Sequence, residues 1–161
     1  MEEYERTLNG MELDAWFSGW RRVLDPLGVM YGGGPMGSTL HLDLSPVSTR
    51  VPISECPKIV DEDLVSHGVP LLVRTVEELR PQVVVASLAT PRWEDLKRRV
   101  GILEEDRWDV PRKNGRKYSF ARGRWPGGVD VLWVRKVNVA PVSPGREACK
   151  EAVERCLRVW T

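Results

Sequence analysis

Apolar residues recur at helical spacing from residue 11 to 27, where Leu13, Trp16, Phe17, Trp20, Val23, Leu24 and Leu27 share one face. Asp14, Arg21 and Arg22 lie off that face, Asn9 with Glu12 gives a start signal, and Gly28 gives a stop. A helix is predicted there, with its aromatics in the core. The Gly-rich turn Tyr31–Gly37 follows a helix instead of a strand, so it reads as a flexible connection and not as a phosphate cradle. Residues 61–80 read as two short helices broken near His67-Gly68, the second starting at Pro70 with Leu72, Val76 and Leu79 inward. Pro81 ends this stretch. Val83-Val84-Val85-Ala86 is then a continuous apolar run of the kind a parallel sheet buries on both faces.

Thr90-Pro91 opens another helix with Trp93, Leu96 and Val100 inward. Polar and aromatic residues alternate from Lys117 to Phe120, Trp125-Pro126-Gly127-Gly128 turns, and Val129–Val139 is extended, which predicts a hairpin. Ser143-Pro144 starts the last helix, which carries Cys149, Ala152, Val153, Cys156, Leu157 and Trp160 along one face. No internal repeat or linker interrupts the pattern. The reading is a single α/β domain over residues 1–161.

A length of 161 residues allows a sizeable core, and 42% hydrophobic with 29% charged residues describes a globular chain that folds without disulfides or metal. No apolar run reaches the roughly 18 residues of a membrane span, and the acidic start MEEYER lacks signal-peptide character, so a cytoplasmic location is expected. Cys56, Cys149 and Cys156 form no CxxC, and His41 and His67 are the histidines. That is a poor zinc set, and Cys149 and Cys156 read as small buried apolar residues of one helix face. Neither a metal nor a cofactor is expected.

Charge changes the picture more. Between Arg107 and Arg124 there are seven basic residues and one acid, a local net of +6 within a chain whose total is +1. The run RWDVPRKNGRKYSFARGRW interleaves these cations with Trp108, Tyr118, Phe120 and Trp125. One reading is a nucleic-acid surface, with cations on phosphates and aromatics stacked on bases. The other is a solvated hairpin whose aromatics face the core. Under the first, Arg112, Lys113, Arg116, Lys117 and Arg122 are the candidate phosphate contacts.

Candidate chemistry also lies in LHLDLSPVSTR, residues 40–50, where an apolar run ends in Asp43 and breaks into Ser45-Pro46. An acid near the carboxyl end of a strand, before a turn, is how an open α/β sheet presents a polar group to a ligand crevice. The ordinary reading, which the residues alone favour, is a strand-end acid that caps the turn following it.

LHLDLSPVSTRVP, then LRPQVVVASLA, then VNVAPVSP opening a last helix together resemble the uracil-DNA glycosylase superfamily, and ELDAWFSGWRRVLDPLGVMYGGG extends the likeness toward Glu12. The resemblance implies a three-layer sandwich with a mainly parallel four-stranded sheet in the order 2-1-3-4 and a site at the carboxyl ends of the strands. It implies extrusion of a base from DNA and hydrolysis of its N-glycosidic bond. Asp43 holds the place of the base reader, commonly Asn in members that excise uracil; an ionised Asp only accepts hydrogen bonds and suits a base that presents donors. Asp43 is thereby also the candidate catalytic acid.

In the loop where members carry a His-Pro-Ser element, this chain has Asn138-Val-Ala-Pro-Val-Ser-Pro144 without a histidine. Asn138 is the candidate polar base contact there, and Val142 with Ser143 the candidate wedge. The water-activating loop after the first strand has no counterpart, since residues 1–10 are too charged for a buried strand. A missing first strand would leave two strand edges unpaired unless the sheet rearranges or another chain supplies it. The expectation is a DNA-binding protein of glycosylase-like fold, either a divergent or a catalytically degenerate base-excision enzyme. The alternative is a subunit or homodimer that completes its sheet with another polypeptide.

Overall fold

In the computed structural model, which describes residues 15–29, 39, 40, 42, 58–111, 115, 117–136 and 144–157, the first amphipathic pattern forms α1 (Ala15–Leu27). Trp20, Val23 and Leu24 are buried, as the spacing requires. Gly28 closes the helix at φ 71°, a left-handed value that suits glycine, and its N–H donates to the Asp25 carbonyl at 3.0 Å.

The two short helices expected over 61–80 are instead one helix, α2 (Lys58–Leu79), which runs through Pro70. An interior proline costs roughly 3 kcal/mol. Burial of Val65, Val69 and Val76 along one continuous face offsets that cost. Leu79, expected inward, is 61% exposed. It is the last residue of the helix, and the chain then turns through Arg80 at φ 45° into the first strand.

That strand, β1 (Val83–Leu88), leads through Ala89 into α3 (Thr90–Val100), with Pro91 in the first turn and Gly101 closing it at φ 82°. Next come β2 (Leu103–Pro111), β3 (Lys117–Arg124), β4 (Asp130–Arg135) and α4 (Arg146–Leu157). Among the described residues the chain is therefore mixed α/β, with four helices and one four-stranded sheet in the order β1-β4-β3-β2. The mainly parallel sheet is corrected: β1 and β4 are parallel, while β4–β3 and β3–β2 are antiparallel. Connections 112–116 and 125–129 are too short for a crossover, so β2, β3 and β4 must alternate in direction. Only β1 to β4 has the long intervening chain that a parallel pair needs.

Alternation along the strands builds a core on each sheet face. Trp108, Phe120, Leu132 and Val134 pack with Val23 of α1 and with Cys149 and Val153 of α4. Ala86, Ala121, Val131 and Trp133 pack with Val65, Val69 and Val76 of α2 and with Trp93 and Leu96 of α3. Trp93 and Trp133 stack at 5.8 Å with rings 9° from parallel.

Of the apolar run that ends at Asp43, Leu40 and Leu42 are described; they lie in no strand and are 62% and 39% exposed, and the rest of the run lies outside the described residues. No helix among the described residues is long and apolar enough to cross a membrane.

Candidate functional site

β1 and β4 run together, β3 runs against them, and β2 runs against β3, so β1, β4 and β2 all point the same way. Their carboxyl ends, Leu88, Arg135 and Pro111, share one border of the sheet with Lys117 at the start of β3. The Lys136 N–H donates to the Leu88 carbonyl at 3.0 Å and the Trp133 indole donates to the same oxygen at 2.9 Å, tying the ends of β1 and β4 together. From this border the chain departs for residues 112–116 and for residues 137–143. Gly145, Arg146 and Glu147 at the start of α4 line a groove of about 760 Å³ with Val110, Pro111 and Tyr118, so α4 also begins at this border. In open α/β sheets the carboxyl ends of strands are where ligands are met.

Of the residues singled out from sequence, Asp43, Asn138, Val142, Ser143, Arg112, Lys113 and Arg116 lie outside the described residues. The flanks of two of their segments are described, Pro111 with Lys117 and Lys136 with Pro144, and all four sit at the carboxyl border. Lys117 is 67% exposed there, 3.4 Å from Asp109. Arg122 is elsewhere. Five residues along β3, about 16 Å at the rise of a strand, its side chain is 19% exposed and reaches Glu105 at 2.9 Å.

The local +6 of the sequence is a linear count, and the fold pairs three of its seven cations, Arg107, Arg122 and Arg124, with acids from outside the run. Arg107 contacts Glu94 at 2.6 Å and Glu104 at 2.7 Å. Arg124 contacts Glu105 at 3.1 Å and Asp130 at 3.6 Å. The aromatics of the same run serve the core: Phe120 is fully buried and stacked on Trp108 at 5.7 Å, and Trp125 is buried in the turn. Tyr118 packs partly against the same cluster. These side chains occupy the faces that base stacking would require.

What the sequence did not single out is a polar row beside Lys117. Asp109 pairs with Ser119 across β2 and β3, and Arg135 ends β4 on the same face. A hydrogen bond from Ser119 leads in holding the Asp109 carboxyl below its ordinary value; partial burial opposes it, and Lys117 and Arg135 assist. Asp109 is therefore ionised at neutral pH. The available signal was the alternation of Lys117 and Ser119 with Tyr118 and Phe120, which puts polar and aromatic side chains on opposite faces. Chemically this row offers two exposed cations beside a carboxylate, a set that contacts phosphate but has no nucleophile–base pair, while Glu147, Glu151 and Glu154 with Arg146 and Lys150 line the adjoining groove.

No family model, curated protein or solved structure matches the chain. Among the described residues no group of three or more His, Cys, Asp or Glu side chains is placed to hold a metal ion.

Proposed function

We propose that the chain binds DNA through the carboxyl border of its sheet, as a three-layer protein of uracil-DNA-glycosylase-like arrangement in which base release is degenerate. The observation that carries this reading is the convergence of Pro111, Lys117, Lys136 and Pro144 on one border. These residues flank the basic loop with Arg112, Lys113 and Arg116 and the connection with Asn138, Val142 and Ser143. The parallel neighbours β1 and β4 support the resemblance, since the matching motifs are adjacent and parallel in that family. Helices packed on both sheet faces support the layered arrangement. Degenerate chemistry is favoured by the lack of a histidine in the 138–144 run.

The test is fluorescence-anisotropy titration of single- and double-stranded oligonucleotides, with and without uracil, over a range of salt concentrations, with a parallel assay for abasic product. Binding that weakens steeply with salt and yields no product is expected. Product formation would refute the degenerate chemistry. No binding at low salt would remove the DNA reading.

A second reading, a subunit that completes its sheet with another polypeptide, is favoured by β1. This strand, VVVASL, is almost wholly apolar and has one partner strand among the described residues. It predicts a defined oligomer in light scattering at micromolar concentration, and a monomer throughout would exclude self-pairing.

A further inference from the structure

We infer that Arg21, Arg22 and Arg146 form a phosphate-binding site where α1 meets the first turn of α4. The three residues line an open groove of about 330 Å³ with Asp25 as its fourth wall residue. Two of these guanidinium groups, those of Arg21 and Arg146, share the one carboxylate of the wall. Asp25 is shared: Arg146 Nη2 lies 2.9 Å from it and Arg21 Nε 3.5 Å from it, yet the two arginines stay 69% and 64% exposed. One carboxylate orients both forks and offsets only one charge. Arg22 Nη1 donates to the Pro144 carbonyl at 3.3 Å, which pins it beside the start of α4.

Guanidinium forks are planar, permanently charged and matched to pairs of phosphate oxygens, and here they are held before a ligand arrives. None of the three belongs to the basic run at 107–124. They come from positions 21, 22 and 146, far apart in sequence. Arg146 also lines the groove beside Pro111 and Tyr118, so the site continues the carboxyl border around α4 onto α1. A strand of nucleic acid on that border would lay its backbone toward these arginines. The inference takes the source of the phosphate from the DNA-binding reading; a free phosphate would meet the same forks.

The experiment uses the full chain and an Arg21→Gln/Arg146→Gln double variant, titrated with a double-stranded oligonucleotide between 25 and 200 mM salt. About tenfold weaker binding at low salt is expected, with a slope of log K against log salt shallower by about 2. An Arg21→Lys/Arg146→Lys variant keeps the charges and should keep the slope. If circular dichroism shows the double variant unfolded, Arg21→Gln alone decides, with a slope change of about 1. A parallel arm follows the arginine Nε–H resonances while inorganic phosphate is added. Wild-type DNA binding with an unchanged slope in the variant would overturn the inference and leave the DNA reading intact. No DNA binding, with phosphate shifting Arg21 and Arg146, would overturn the DNA reading and support the site with free phosphate as its ligand. No response in either arm overturns both.

Discussion

Glu104 is the most connected carboxylate among the described residues, and removing its charge is the sharpest test of how β2 is held. Its Oε2 accepts from the Trp93 indole at 2.9 Å, from Lys97 Nζ at 2.8 Å and from Arg107 Nη2 at 2.7 Å, while Oε1 accepts from Arg107 Nε at 2.8 Å. Burial acts to raise its pKa, but hydrogen bonds from Arg107, Lys97 and Trp93 with the Lys97 charge outweigh it, bringing the carboxyl from 4.5 to about 2. At about 1.4 kcal/mol per tenfold change in proton affinity, this sets a ceiling of roughly 3 kcal/mol. The side chain keeps 21% exposure, so solvent screening brings the expectation to about 2 kcal/mol.

A depressed carboxylate pKa contributes stability in full above the ordinary carboxylate range and loses it as pH falls toward the folded value. Urea denaturation of wild type and Glu104→Gln at pH 6, 4.5 and 3 measures this. The variant should be less stable by about 2 kcal/mol at pH 6, and the gap should narrow by about 1.5 kcal/mol at pH 3. Carboxylates common to both proteins largely cancel in the difference. A gap that moves by less than about 0.5 kcal/mol across that interval would refute the assignment of charge to this network.

Other consequences can be checked on the same material. A Cβ at Gly123 would lie 2.7 Å from the Leu103 carbonyl oxygen and 3.2 Å from Ile102 Cγ2, so Gly123→Ala should lose about 2 kcal/mol, seen as a lower urea midpoint at unchanged slope. Trp133→Phe keeps an aromatic over Trp93 but deletes the bond to the Leu88 carbonyl, and should cost about 1–2 kcal/mol against about 3–5 for Trp133→Ala. Equal losses in thermal melts would show that the ring contact contributes nothing. Burial pushes the Cys149 thiol up to about 12 and the Cys156 thiol up to about 11. A Cys56→Ser variant should therefore leave a thiol reagent unreacted at pH 8 until urea exposes two thiols; fast reaction in the native state would contradict their burial.

The pattern of apolar positions was enough to find α1, α3 and α4 and the hairpin around 125–129, because each buries one face whose period is written locally. Val83 to Ala86 was legible as a strand from its short continuous apolar run between Pro81 and Thr90-Pro91, with no period to read. β2 was not. Its LEEDRWDVP buries only Trp108, and its acids and Arg107 find partners on α3 and β3 that no local window contains. Pro70 misled in the opposite direction, since the burial that carries α2 through it comes from another layer of the molecule. The basic run shows the same division. Its composition was visible, but only the packing of β2 against β3 and α3 paired Arg107, Arg122 and Arg124 with carboxylates and turned Trp108 and Phe120 into the core.

Sequence alone located the helices at 15–27, 90–100 and 146–157 and the turn after Arg124, and marked Arg112 to Lys117 and Asn138 to Ser143 as the segments richest in candidate contacts. Only the tertiary structure decided that the flanks of both loops meet at one sheet border and that Arg21, Arg22 and Arg146 stand together beside it. Helical and strand periods depend on neighbours a few residues away, whereas charge compensation and site assembly depend on which distant strands and helices touch.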